Sequence, residues 1–360
     1  MRTADLIVIG GGPAGTAAAI TAARGGARVM LLEAGRLPRH KVCGEFVSSE
    51  SLELLSELLD RNRRSLLSDA ARVSRSRLFV DGRELSAEIS PAAASIARFD
   101  LDLALFESAK SSGVEAVQLT RVLEVRNGKP STVRTSAGEI EAGVVVNASG
   151  RWSNLHGGSL ANHKGSEKWI GLKAHFTEAS PPLSVDLYFF SGGYCGVQPV
   201  GPQRVNACAM VRADAASSLA EVFELHPALC ERSRHWRMVT NPISVAPLRF
   251  GTPQPVGDGV INVGDAAGFV DPFIGDGISL ALRSGALAAE CLAGCLNGTI
   301  SQEDAARRYA GAYEARFGTV FRSSARLRRA LVLPKSVRMP ILAVLQKSPA
   351  ITNYLVRMTR

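Results

Sequence analysis

The glycines at positions 10, 12 and 15, in Gly10-Gly11-Gly12-Pro13-Ala14-Gly15, and an acid 18 residues later, Glu33, form the most specific chemical pattern in this chain. In such a pattern the first glycine allows a tight turn, the second lets backbone approach a pyrophosphate, and the third lets a helix lie close to its strand. The free N–H groups and positive dipole end at that helix start suit an anion. Glu33 is placed to accept hydrogen bonds from both hydroxyls of an adenosine ribose, with Ala34 beside it. An acid there favours a free 2′-hydroxyl over a 2′-phosphate. A second pattern of this kind begins about 250 residues later. Gly264-Asp265-Ala266-Ala267-Gly268 follows an apolar run, and Asp271-Pro272 and Gly275-Asp276-Gly277-Ile278 open a helical stretch. An acid at Asp265 can hold a sugar or ribityl hydroxyl, and the second helix start can stabilise negative charge on a ring system. Two cradles this far apart in sequence imply one long, extended cofactor.

The elements that must hold these residues are legible around them. Leu6–Ile9 reads as a buried strand entering the glycine turn, followed by an alanine-rich helix through Arg24 and a second strand, Arg28–Leu32, that ends at Glu33. Val144–Val146 and Val260–Val263 read as further buried strands, and the last helix runs to about Leu296. This alternation predicts an α/β fold with a Rossmann-type parallel sheet. Elsewhere the pattern changes. Leu78–Val80 and Arg83–Leu85 flank an Asp81-Gly82 turn, a hairpin signal. Runs at Trp169–Phe176, Asp186–Phe190 and Val205–Val211 have strand composition between Gly/Pro-rich turns. They predict an inserted, mainly antiparallel sheet over the cofactor ring, with Tyr188, Phe189, Phe190 and Tyr194 either lining an apolar pocket or simply packing. The expected division is a nucleotide-binding domain in three parts (1–77, 99–165, 250–315), a hairpin at 78–98 and a substrate domain at 166–249, both belonging to the inserted sheet, and a basic helical tail at 316–360.

Composition bounds the function classes. The 360 residues are 46% hydrophobic and 21% charged, which excludes a disordered tail protein and a fibre. Six scattered cysteines without a CxxC pair argue for reduced thiols in a cytoplasmic setting, not a disulfide scaffold. No apolar run reaches the roughly 18 residues of a membrane span, and glycines interrupt Leu6–Ala23 as a signal peptide. The net charge of +9 is localised: ten of the 42 bases lie beyond Glu314, the last acid, leaving 32 bases against 33 acids before it. That tail, with Leu331–Leu333 and Ile341–Leu345 between its bases, reads either as a peripheral contact to anionic membrane or as a helical cap with solvated arginines. No aromatic residues alternate with these bases, so no nucleic-acid partner is expected.

Taken together, Gly10–Gly15 with Glu33, Arg39-His40-Lys41-Val42-Cys43-Gly44-Glu45, Arg98-Phe99-Asp100, Asn147-Ala148-Ser149-Gly150-Arg151-Trp152-Ser153 and Gly264–Ile278 resemble the FAD-dependent oxidoreductases of the geranylgeranyl-reductase-like branch, within the para-hydroxybenzoate hydroxylase-type fold. The resemblance implies FAD as cofactor, with NADPH or NADH as external reductant. It implies that Asp265 binds the ribityl or pyrophosphate end and that Gly275, Gly277 and Ile278, after Gly264 and Pro272, lie beside the flavin pyrimidine. Arg98 then approaches from the start of the Asp100–Lys110 helix, Lys41, Cys43 and Gly44 pass close to the ring, and Ala148 and Gly150 complete the cradle. Cys43 and Tyr194 are the candidate catalytic residues, Cys43 being alternatively an inert cysteine.

Several departures bear on the chemistry. Ser149-Gly150 stands where aromatic hydroxylases of this fold carry Asp-Gly, which puts the reductant in question, and Gly268 stands where they carry His. Gly193–Pro199 is the nearest match to the Tyr-x-Trp-x-Phe-Pro segment of prenyl reductases, without the Trp and Phe. The absence of lysine between Lys41 and Lys110, and the isolation of three tryptophans, argue against a halogenase. The expectation is a flavin-dependent monooxygenase of secondary metabolism that hydroxylates a lipophilic or aromatic small molecule through a flavin hydroperoxide, acting as a monomer or dimer. The alternative is a reductase that delivers hydride to isoprenoid double bonds.

Overall fold

The computed structural model describes residues 2–151, 168–248, 250–331 and 333–347, so Trp152 and Ser153 of the fourth motif and the end of the basic tail lie outside the described residues. The chain opens with β1 (Arg2–Ile9), turns at Gly10 (φ +108°) into α1 (Pro13–Arg24), and returns through β2 (Val29–Leu32). Pro13 suits the helix start because its missing N–H would have no intrahelical partner there. Next come a short β3 (Phe46–Val47), α2 (Leu52–Leu58) and α3 (Ser65–Ser68). A long hairpin follows, β4 (Ala71–Val80) and β5 (Arg83–Ser95). It closes on Asp81 and Gly82 at φ +51° and +76°, the left-handed pair that a two-residue turn of this hand requires. α4 (Arg98–Ser111) begins at Arg98 itself and leads to β6 (Glu115–Val117), then to β7 (Val122–Arg126), β8 (Ser131–Thr135) and β9 (Gly138–Asn147).

The second half supplies β10 (Trp169–Thr177), β11 (Ser184–Phe190), β12 (Gly193–Gly201) and β13 (Arg204–Arg212), then α5 (Leu219–Glu224), α6 (Pro227–Ser233) and β14 (Ile243–Leu248). β15 (Val256–Gly257) and β16 (Val260–Asn262) rejoin the first sheet, and α7 (Gly277–Leu296), α8 (Gln302–Leu331) and α9 (Lys335–Lys347) follow.

Two eight-stranded sheets result. In the first, β6, β2, β1, β9 and β16 are parallel neighbours in that order, so the carboxyl ends of β1, β2, β9 and β16 share one rim. That rim is where open α/β sheets bind ligands. Helices α1 and α7 cross close to it: a Cβ at Gly285 would lie 2.1 Å from the Ala14 carbonyl oxygen, so only glycine permits the approach. The second sheet runs β14-β10-β13-β12-β11-β4-β5-β3 and is antiparallel except where β11 pairs with β4.

β12 was not expected as a strand. Its three glycines, Gly196 among them in the interior, and Pro199 lower strand propensity, yet it is held on both sides by β11 and β13, with a register shift between Pro199 and Gly201. Neighbouring strands override local preference here.

α7 is, among the described residues, the one helix long and apolar enough to cross a bilayer, and about two thirds of it is buried against protein. Its apolarity is that of a core helix. The tail folds back on the body: the Arg338 guanidinium donates to both carboxylate oxygens of Asp81 at 2.7 and 2.8 Å, and buried Leu342 packs with Val80 and Leu85.

Candidate active site

The glycine turn is braced from below. A Cβ at Gly10 would lie 2.4 Å from the Ala148 oxygen, and one at Gly15 would lie 1.9 Å from the Gly10 oxygen. The Glu33 carboxylate, almost fully buried, accepts from Gly11 N at 2.8 Å through Oε2 and from Gly35 N (2.8 Å) and Arg39 (2.6 Å) through Oε1. Oε2, with one bond against two at Oε1, therefore keeps an accepting position, and the neighbouring Ala34 is exposed. Thus Glu33 also ties the turn to β2, a bracing role that the spacing alone did not indicate.

The opposite side of the cradle is assembled from the ends of β9 and β16. Asn147 donates to the Asn262 side chain at 3.0 Å, and Tyr309 of α8 donates to the Asn262 carbonyl at 2.8 Å. Gly264 (φ +59°) packs on Ala14, while Asp265 lies 3.4 Å from Arg151, whose guanidinium covers the Phe269 ring at 4.1 Å. Burial raises the Asp265 pKa, against the opposing charges of Arg151 and Arg98. Pro272 opens a short turn that ends at Gly275 (φ +78°), over the Phe46 ring. Ile278 is buried at the start of α7, and buried Asp276 just before it accepts from Ser48 at 3.3 Å. Burial pushes Asp276 up to about 6. Gly268 is tightly enclosed, since a Cβ would meet Phe321 and Pro253 at 3.1 Å.

The middle of the cradle is open. Among the described residues, and apart from chain neighbours and the glycine's own helix, nothing lies within 4 Å of a Cβ placed on Gly44, Gly150 or Gly277, and a Cβ on Gly12 would meet the Arg98 guanidinium at 3.7 Å. Arg98 is fixed by two hydrogen bonds to Asp102 of 2.6 and 2.8 Å. Burial works against its charge, but Asp102 outweighs that and raises its pKa. Lys41 stands near Arg39 and Arg98, its pKa lowered by burial and by those two charges. Cations beside a glycine turn and a helix start are the donor set a pyrophosphate requires.

Behind Gly44 lies a cluster that the sequence patterns did not reveal. Glu45 (φ +64°) is 0% exposed and accepts from the Arg98 N–H at 2.9 Å and Lys173 Nζ at 2.6 Å, while its other oxygen meets His175 Nε2 at 2.7 Å. Lys173 and His175 are each 1% exposed. Burial alone would raise the Glu45 pKa, but the His175 hydrogen bond and the Lys173 charge hold it below the usual range. The two residues alternate on β10 and face the loop together with Asn206 and Cys208, their partners on β13. Asn206 donates to the Cys43 and Gly44 carbonyls, both at 3.0 Å. Cys43 itself is half-buried: burial pushes its pKa up, although Arg98 opposes this. A protonated thiol is not an activated nucleophile. The available signal was the pair of polar residues at i, i+2 in the otherwise apolar Gly171-Leu172-Lys173-Ala174-His175-Phe176.

A family model described as FAD dependent oxidoreductase matches residues 5–222. The chain belongs to that family. FAD is therefore the implied cofactor, and the open glycines, the spare accepting position on Glu33 and the cations beside the turn fit it. The chain is 29% identical to a menaquinone reductase of Mycolicibacterium smegmatis, over 80% of this chain and 76% of that protein. It is 26% identical to digeranylgeranylglycerophospholipid reductase 2 of Methanopyrus kandleri, over 88% of this chain and 84% of that one. Among solved structures, a geranylgeranyl bacteriochlorophyll reductase-like protein of Thermoplasma acidophilum superposes with a TM-score of 0.80 at 21% identity, covering 100% of this chain and 96% of that one.

Between the second sheet and the segment that follows Gly264, Leu187, Tyr194, Met210 and Leu248 form a buried cluster joined by Phe189, Phe250, Phe269 and Phe273. The Tyr194 ring meets Phe189 at 5.5 Å and Phe273 at 5.9 Å. Its hydroxyl is buried without a hydrogen-bond partner among the described residues, and burial raises its pKa well above the ordinary value. Asp271, at the edge of this cluster, is pushed up to about 7 by burial despite Arg328 of α8 at 3.4 Å, and its Oδ1 likewise has no partner there.

Proposed function

We propose that this FAD-dependent oxidoreductase reduces carbon–carbon double bonds in the isoprenoid chain of a lipid or quinone. The supporting observation is that the likeness to the menaquinone and digeranylgeranylglycerophospholipid reductases runs over 80% and 88% of the chain, far enough to include the sheet that lines the substrate side. The apolar character of that lining, with eight large hydrophobic side chains, suits an isoprenoid better than a polar substrate. This reading is favoured over oxygen insertion.

Reduced FAD, when bound, supplies the hydride. The chain's own residues do the rest. The Gly10–Gly15 turn, Arg98 and Lys41 hold the pyrophosphate, and Glu33 accepts from the ribose. Glu45, Lys173, His175 and Asn206 fix the Cys43-Gly44 peptide at the open face of the cradle. The aromatic cluster supplies an apolar wall, in which burial holds the Tyr194 hydroxyl protonated. Saturation then adds one hydride and one proton across each double bond.

The deciding experiment is anaerobic. Holoenzyme reduced with dithionite, or with NADPH or NADH if either bleaches the flavin, is mixed with a short-chain menaquinone or a geranylgeranyl lipid. A product heavier by two hydrogens per bond supports the proposal. A product that forms only in air and carries an added oxygen sinks it.

A further inference from the structure

We infer that the elbow between α8 and α9 is a docking surface for an anionic lipid bilayer. The chain passes from one helix to the other through Leu333-Pro334, and Leu327, Leu333 and Val337 around it are 37, 38 and 49% exposed. Three exposed bases, Arg326, Arg329 and Lys335, stand among them. None of the three pairs with a carboxylate among the described residues. No acid follows Glu314 in the sequence, so nothing on the elbow itself offsets the charge.

The same helices treat their inward bases differently. Arg328 turns to Asp271 and lies over the Phe250 ring at 4.2 Å, and Arg338 clasps Asp81. Near the elbow, Arg328 and Arg338 meet acids of the body, whereas exposed Arg326, Arg329 and Lys335 stand near apolar side chains in the sequence. A mixed cationic and apolar surface matches a bilayer with anionic headgroups, which attract the bases while the interface takes up the leucines and valine. A second copy of this chain fits less well, because two such patches repel each other. Nucleic acid fits less well too, since no aromatic side chain is exposed on the elbow for base stacking.

The elbow is also adjacent to the site. Leu342, on the inner side of α9, packs with Val80, Leu85 and Phe189, and Phe189 touches Tyr194. Docking would therefore set the aromatic cluster against the membrane side. That consequence rests on the proposed lipid substrate; the docking itself rests only on the surface.

The test is cosedimentation of full-length holoprotein with vesicles of phosphatidylglycerol and phosphatidylcholine in equal amounts, and with phosphatidylcholine alone. Binding is expected to the anionic vesicles at low salt, and to weaken as salt rises. The triple variant Arg326→Glu/Arg329→Glu/Lys335→Glu should weaken it by about tenfold or more, with flavin content and melting temperature unchanged. Leu333→Ser/Val337→Ser should also weaken it, and should do so at high salt as well. Absence of binding at low salt, or binding untouched by both variants, overturns the inference. So does a wild-type dimer that Leu333→Ser/Val337→Ser dissociates, which would make the patch a contact between copies. Reduction of a detergent-dispersed isoprenoid separates the two proposals: its failure counts against the reductase reading alone, whatever the vesicles show.

Discussion

The cofactor cradle and the seam behind it use buried acids in opposite ways. In the cradle, Glu33 keeps an accepting position for a ligand, and Gly12, Gly44, Gly150 and Gly277 leave backbone bare around an open space. In the seam a few ångströms away, Glu45 is closed off entirely by Arg98 N, Lys173 and His175. The cradle is completed by its cofactor. The seam is complete without it. The difference teaches that the two charge clusters are built for separate jobs: one leaves an acceptor and backbone open, as the proposed cofactor contact requires, and the other ties β10 of the second sheet to the Glu45 loop and the start of α4.

Substitutions can break that contrast. The largest effect is expected from Lys173→Met, which leaves Glu45 buried with a lost partner. Breaking a buried pair costs about 3–5 kcal/mol, so denaturant unfolding of the apoprotein should shift by that order, and equal stability of variant and wild type would refute the role given to the seam. The depressed Glu45 pKa adds a sign: its contribution is present above the ordinary carboxylate range and is lost as pH falls through and below it.

In the cradle the cost should fall on binding. Gly277→Val points into open space, so the apoprotein should melt as wild type does. FAD affinity should drop by roughly 10–100-fold, the usual cost of 1–3 kcal/mol for overpacking. Glu33→Ala removes a charged acceptor worth about 1.5–3 kcal/mol per hydrogen bond. Because Glu33 also holds Gly11 and Gly35, fluorescence titration should show weaker FAD binding together with a modest loss of melting temperature.

Asp271 gives a prediction in pH. Its carboxyl titrates at about 7 in the folded chain against 3.8 ordinarily, so between these values the unfolded chain is ionised while the folded one holds its proton. Its contribution to stability therefore falls as pH rises through that window. Asp271→Asn should flatten the change in unfolding free energy between about pH 5 and about pH 8, and an unchanged slope would contradict the assignment. The smallest effect is expected at the tail: Arg338→Ala loses a partly exposed pair worth about 1 kcal/mol or less, read as a slight shift in melting temperature.

Legibility followed the same divide. The Gly10–Glu33 unit could be read because a turn, a helix start and a strand end are local, and glycine is required by backbone geometry at Gly10 itself. The Asp81-Gly82 hairpin was readable for the same reason. The seam joins positions 128 and 130 residues apart, so no window of sequence contains it. Its lysine and histidine sit in a strand whose polar residues would ordinarily face water. β12 hid behind its glycines and Pro199, because pairing on both sides, not propensity, makes it a strand. The tail was ambiguous in sequence since charge alone does not tell which arginines turn inward; Arg328 and Arg338 do so because Asp271 and Asp81 wait for them.

The parallel pairing of β11 with β4 has a consequence for how the molecule is made. Arg77 and Asp186, which meet across this pairing, are separated by 109 residues. During synthesis the β4–β5 hairpin emerges with one edge bare and must wait for β11 to cover it, while β9 of the first sheet waits longer still for β16. Closure of the two sheets is interleaved along the chain: the second has all its strands only at Leu248 and the first only at Asn262. Such distant pairings form slowly and leave strand edges exposed in the meantime. The nascent chain is therefore most vulnerable to aggregation over the stretch between the hairpin and β11, a window in which holding by a chaperone would matter more than any later assistance.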